Sequence, residues 1–169
     1  TPDAKVSNLL RFGMVMDLDY NMDKSEFYGR GPIENYIDRK ASQNIGIYKQ
    51  TADQQFYPFI RPQETGTKSD IRWWKQTTAE GLGFCITAVN NYFDACALHY
   101  NISDLDEGDQ KAQRHSPEVP KSKYTELSIN LAHFGLGGEN SWGSWPLQQH
   151  RLSYQDMTFT FHLTPLGVK

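Results

Sequence analysis

Between residues 8 and 20 apolar and polar positions alternate. Leu10, Phe12, Met14, Met16, Leu18 and Tyr20 fall on one side, and Leu9, Arg11, Gly13, Val15, Asp17 and Asp19 on the other. A period of two over this length predicts a long strand with one buried face. The pattern returns at 125–133, where Thr125, Leu127, Ile129, Leu131 and His133 share a side. It returns again at 157–163 with Met157, Phe159, Phe161 and Leu163. Ile45–Lys49 and Phe93–Tyr100 predict further strands. Residues 71–78 and 84–90 flank Ala79-Glu80-Gly81-Leu82-Gly83 and predict a hairpin with a longer loop. In its first arm Trp73 and Trp74 point opposite ways, so one leaves the core unless the sheet is covered on both faces.

Breaks separate these runs. Asn21–Ser25 is a polar turn, Gly29-Arg30-Gly31-Pro32 a sharp bend, and Ile33–Asn44 a long polar surface loop. Phe56–Pro62 carries Pro58 and Pro62, which confines it to a sheet edge or an extended crossing. Gln63-Glu64-Thr65-Gly66 reads as a turn. Ser103-Asp104-Leu105-Asp106 predicts a helix start, with a serine cap and acids in the first turn. Pro117 and Pro120 keep that helix short. The expected fold is all-β, an antiparallel β-sandwich with one short helix, formed by residues 1–169 as a single domain. At least seven strands are expected, and no helix longer than about 11 residues.

Composition narrows the function classes. Seventeen basic against 20 acidic residues leave a net charge of −3, which is no footprint for nucleic acid. No run of 18 apolar residues is present, so no membrane-spanning helix is expected. Cys85 and Cys96 read as two buried free thiols rather than a disulfide framework. The chain opens on Thr1-Pro2-Asp3 without an initiator Met, which reads as a fragment or a processed product, and localisation is not legible.

The candidate chemistry sits in one loop, Gly135-Leu136-Gly137-Gly138-Glu139-Asn140-Ser141-Trp142-Gly143-Ser144-Trp145-Pro146. An indole on a glycine-shaped loop offers a flat apolar face and one N–H, which suits a sugar, and Glu139, Asn140 and Ser141 supply polar neighbours. The alternative, favoured by how often large aromatics are core residues, is that both indoles plug the end of the sandwich. His99, His115, His133, His150 and His162 are scattered without metal-ligand spacing and read as structural. No phosphate loop or nucleophile elbow is present. A glycosidase needs two carboxylates set across a sugar, and no such pair stands out. Glu34, Glu64 and Glu139 read as solvated loop residues. Arg30, Arg39 and Arg61 read as partners in structural ion pairs.

Four motifs taken together carry a resemblance. Tyr28-Gly29-Arg30-Gly31-Pro32-Ile33-Glu34-Asn35-Tyr36-Ile37-Asp38-Arg39 resembles the G-x-G-P-x-E-N-Y-x-D-R segment of family 2 glycoside hydrolases that are β-galactosidases. Arg61-Pro62-Gln63-Glu64-Thr65-Gly66 is similar to their P-x-E-x-G turn, which precedes a strand here holding Arg72 and Trp73. Leu98-His99-Tyr100 with Asp104-Leu105-Asp106 is similar to their helix-start motif. Gly135–Trp142 resembles their G-x-G-G-x-x-S-W loop. The four occur in the same order over roughly residues 11–164, and the joint match is specific where each alone is weak.

The resemblance implies the last, small-chain domain of a β-galactosidase, a sandwich of the galactose-mutarotase-like (supersandwich) type. It implies hydrolysis of terminal β-galactosides with retention. Both catalytic glutamates would lie on an upstream barrel, so no catalytic residue is expected in this chain. Trp142 would contact the sugar, and Trp145 matches no assignable position. Magnesium and sodium ions, which the family often uses, would be bound mostly outside the chain. The implied partners are a β-galactoside and the barrel of the same enzyme, in a homo-oligomer. Two other functions remain open, a free-standing carbohydrate-binding module and a mutarotase-like isomerase. The second requires a histidine and a carboxylate facing one pocket.

Overall fold

The computed structural model describes residues 8–105, 114–137 and 143–167. Its elements run in the order β1 (Asn8–Leu9), β2 (Arg11–Asp19), β3 (Lys24–Gly31), β4 (Asn44–Thr51), α1 (Ala52–Gln55), β5 (Lys68–Ile71) and β6 (Trp73–Thr77). There follow β7 (Gly83–Ala88), β8 (Phe93–Leu98), α2 (Ile102–Leu105), β9 (Tyr124–His133), β10 (Leu152–Ser153) and β11 (Phe161–Leu166). Five strands form one sheet in the order β11-β7-β6-β3-β4 and four form another in the order β2-β9-β8-β5, while β1 pairs with β10 alone. Every strand pairing is antiparallel. The all-β antiparallel sandwich is therefore the fold, and the described residues form two short α-helices where one was expected.

The two sheets close on a common core. Phe27, Trp74 and Ile86 from the five-stranded sheet meet Ile71, Phe93, Ala95, Ala97, Leu127 and Ile129 from the other. Trp74 is fully buried and stacks on Phe27 at 4.9 Å between ring centroids. Its indole N–H donates to Gln76 Oε1 at 2.9 Å. That oxygen also accepts from Ser25, whose hydroxyl accepts from Gln55 of α1. Trp73, one residue earlier, pairs with Tyr28 on the outer face. The four-stranded sheet is covered on its outer face too, where Cys96 and Leu98 pack with Leu105, Val119, Phe56 and Tyr100. That double cover explains why β8 reads Phe-Asp-Ala-Cys-Ala-Leu without clean alternation.

Several expectations need correction. Gly29 lies inside β3, and the sharp bend is confined to the cis Gly31–Pro32 bond. Residues 33–43 do form a loop, with Asn44 already in β4, but Asn35 and Tyr36 in it are fully buried. Asn35 takes the place of a strand neighbour, because its amide and side chain bond Thr67, Ser69, Arg30 and Ile33. Residues 56–62 join no sheet, and instead of crossing in extended form they turn, with the Phe59 amide donating to the Tyr57 carbonyl at 2.9 Å and a bend at Ile60 and Arg61. The helix begins at Ile102, so Ser103 is within it rather than capping it, and Asn101 reaches Asp104 instead. The last strand starts at Phe161, not at Met157. Cys96 is buried and Cys85 only half-buried, both as free thiols.

Candidate functional site

The site begins with an irregularity. In the β2–β9 ladder Gly13 faces Asn130 while Phe12 faces Ala132, so Leu131 is an extra residue on β9. A bulge of this kind reverses the side on which later residues project. Simple alternation groups His133 with Leu127 and Ile129 in the core. The bulge turns it instead to the outer face, beside Arg11. There His133 is buried, with Nδ1 2.7 Å from the Phe134 carbonyl. A carbonyl only accepts, so Nδ1 carries a proton and Nε2 faces Glu64 Oε1 at 3.6 Å.

Glu64 is the centre of the cluster. Its carboxylate is ion-paired with Arg11, and its side chain is 15% exposed. Burial pushes this carboxyl up, but the neighbouring His133 imidazole and the Arg11 charge together outweigh burial and hold it below the ordinary range. Glu34 is more deeply placed, with 5% of its side chain exposed. It accepts from the Gly66 amide at 2.8 Å and from Arg39 at 2.5 Å. Burial raises the Glu34 carboxyl, against the pull of Gly66 and Arg39. Neither glutamate is a solvated loop residue as expected, since each anchors a turn. Of the three arginines, Arg30 pairs with Asp70 and Arg39 with Glu34. Arg61 makes no ion pair among the described residues.

These contacts gather the four motif segments. Gly66 has φ +83 and accepts no side chain easily, since a Cβ there would meet the Gln55 carbonyl oxygen at 2.9 Å. Its backbone, lying on Glu34, joins the 61–66 turn to the 28–39 segment. Arg39 lies over the rings of Tyr36 and Phe59, at 4.7 and 5.5 Å, and Tyr36 packs on His133. From the same segment Asp38 Oδ2 accepts the Gly137 amide at 2.5 Å and so fixes the start of the glycine-rich loop. Ile102 of α2 supplies the fourth segment. Together they surround a cavity of about 580 Å³, a size within the usual range for small-molecule sites. Glu139, Asn140, Ser141 and Trp142, the residues read from sequence as the sugar loop, lie outside the described residues, as does Asp106 of the helix motif. Trp145 is described and does not plug the sandwich. It is exposed, with its edge against Phe134 and Arg151 above its ring.

The sequence did not single out Arg11, Tyr36 or Asp38, and it read His133 as a structural residue. The bulge hides the position of His133, and the contacts of the other three arise only in the folded chain. Among the described residues no group of three or more His, Cys, Asp or Glu side chains could hold a metal ion.

A smaller cavity of about 200 Å³ lies behind His133 and contains Asp94, Lys40 and Asp70. Burial pushes the Asp94 carboxyl up to about 7, against the charges of His133 and Lys40. A carboxyl whose folded value exceeds its unfolded one keeps a proton that the unfolded chain has released. Stability therefore falls as pH rises from about 4 through about 7. Asp94→Asn is expected to flatten this fall. Melting temperatures at about pH 5 and about pH 8.5 should lie closer together in the variant than in the parent, and an unchanged gap would remove Asp94 as the cause.

By fold the chain is an antiparallel β-sandwich domain that gathers four loop motifs at one cavity. It belongs to the β-galactosidase small-chain family: the profile described as "Beta galactosidase small chain" matches residues 1–163. It is 32% identical over 166 residues to a protein named beta-galactosidase from Priestia megaterium, covering 98% of the chain and 16% of that relative. A beta-galactosidase of Lactobacillus delbrueckii subsp. bulgaricus is 34% identical over 143 residues, with 84% of the chain and 13% of the relative covered. Beta-galactosidase BgaC of Bifidobacterium adolescentis is 33% identical over 143 residues, with 83% and 13% covered. The chain thus corresponds to a small part of each of these proteins.

Proposed function

We propose that this chain acts as the small-chain part of an enzyme that hydrolyses terminal β-D-galactosides with retention. The reaction would use a nucleophilic glutamate and an acid/base glutamate, both carried by the remainder of the enzyme. Small-chain residues would contact the sugar through Trp142 and support the remainder, and would break no bond themselves. Magnesium and sodium ions are assigned to other parts of the enzyme. The observation that carries this reading is the family match over nearly the whole chain. The Asp38 contact adds a physical reason: it holds Gly137 at the root of the loop that leads to Trp142.

A mutarotase-like reading finds its histidine and carboxylate in one cavity, as His133 and Glu64. Their geometry speaks against it. The two side chains face each other at 3.6 Å and Arg11 occupies the carboxylate, which leaves no room for a sugar oxygen between acid and base.

The test uses the full-length enzyme and a chromogenic β-galactoside. Trp142→Ala is expected to raise KM by roughly five- to thirty-fold, as loss of about 1–2 kcal/mol of stacking would, with a smaller effect on kcat. Trp142→Phe should recover part of the loss. A KM unchanged in both variants would return Trp142 to a packing role. The chain by itself should give no turnover, and turnover that survives removal of all host β-galactosidase would overturn the assignment of catalysis to the remainder.

A further inference from the structure

The cavity at the four motifs is incomplete in a particular way. Arg11 Nη1 is buried and has no hydrogen-bond partner among the described residues, although a guanidinium cannot give up its proton to escape that cost. Arg61 stands at the same cavity without a partner among the described residues. The carboxylate in reach, Glu64, is already engaged by Arg11 and His133, and Arg39 is engaged by Glu34. Among the described residues lining the cavity, no carboxylate is left for Arg11 Nη1 or for the exposed Arg61. Around these groups the rim is apolar and open to water, with Ile60 78% and Leu10 71% exposed. A small anion would satisfy the arginines and leave that rim wet. A peptide segment would cover both.

Resting on the small-chain reading above, we propose that this cavity is the socket for one segment of the remainder of the β-galactosidase. That segment presents a single aspartate or glutamate side chain to Arg11 and Arg61, flanked by apolar residues that cover Ile60 and Leu10. Two observations favour this occupant. The matched relatives hold most of their length outside this region. Leu136 also lines the cavity, so its mouth opens beside the loop that the proposed function turns towards the remainder. A central arginine contact kept dry by a surrounding ring of covering residues is a recurring form of interface hot spot.

The experiment takes the full-length enzyme and labels arginines with phenylglyoxal, read residue by residue by peptide mass spectrometry. Arg61 is expected to react at least about tenfold more slowly in the native enzyme than in urea, because a filled interface excludes the reagent. Native labelling within about twofold of the unfolded rate would overturn the proposal. Native labelling that falls further when galacturonate or inorganic phosphate is added would also overturn it, since the site would then be an open anion pocket. Carbodiimide coupling of the R61K variant provides the second readout. An amide bond from that lysine to a carboxylate outside this domain supports the socket. A bond within this domain, a bond to the same domain of a neighbouring copy, or no bond at all overturns it. β-Galactosidase activity of the same preparations is measured separately. Its absence would sink the proposed function and leave the labelling result to decide whether the socket is filled.

Discussion

Glu64→Ala is expected to destabilise the domain by about 2–3 kcal/mol, less than the roughly 3–5 kcal/mol for removing one partner of a fully buried ion pair, because Arg11 and Glu64 are half-buried. The residue reads as an exposed turn acid, and such a position would usually cost under about 0.5 kcal/mol. The larger value follows from what the carboxylate holds. Arg11 would lose its anion while staying largely out of water, with Nη1 already unpartnered among the described residues. His133 would lose the group facing its Nε2. Glu64→Gln should cost less, since the amide oxygen still accepts from Arg11. The acid limb offers a second check. The folded carboxyl titrates below its unfolded value of 4.5. Its contribution is therefore present above the unfolded value and lost as pH falls through the folded one. The gap between parent and Glu64→Gln should narrow in that acid range. Urea unfolding across pH measures both effects, and a pH-independent difference under about 1 kcal/mol would refute the account.

Trp74→Ala should cost about 3–5 kcal/mol and Trp73→Ala about 1 kcal/mol or less, although the two residues are neighbours with the same side chain. Trp74 has no exposed surface, stacks on Phe27 and donates to Gln76. Removing it opens a cavity between the sheets and takes a donor from Gln76 Oε1. Trp73 lies on the outer face, where Lys75 sits 4.8 Å from its ring and Tyr28 beside it. Trp74→Phe should restore part of the loss but not the hydrogen bond. Chemical denaturation of the three variants decides the matter, and equal losses for both alanine variants would mean that the sheet buries both faces there.

The strands were legible because a sheet with one buried face imposes a period of two on its sequence. That held for the second half of β2, where Met16 and Leu18 pack on the core, and for β6, whereas Gly13, Met14 and Val15 are exposed in succession. It weakened for β8, where a second layer of Cys96 and Leu98 contacts erases the alternation. The polar loop at 33–44 looked solvated because its residues are polar, yet Asn35 is buried by serving as a hydrogen-bonding partner to four other residues. Composition reports how much a segment likes water and is silent on which backbone groups need partners.

The site divides in the same manner. The motif spellings around Glu34, Glu64 and Gly135 were visible along the chain, and with them the small-chain family. Their meeting place was not. Glu34 reaches Gly66 across 32 positions and Asp38 reaches Gly137 across 99, separations that no local pattern encodes. His133 changes sides through one extra residue in β9, a register event that depends on the partner strand. The sequence by itself determined which segments form most of the strands, the turns between them and the family, because these follow from local side-chain order. The tertiary structure alone decided which charges are brought together and which, like Arg11 and Arg61, lack a complete set of partners among the described residues, because that depends on contacts between residues far apart in the chain.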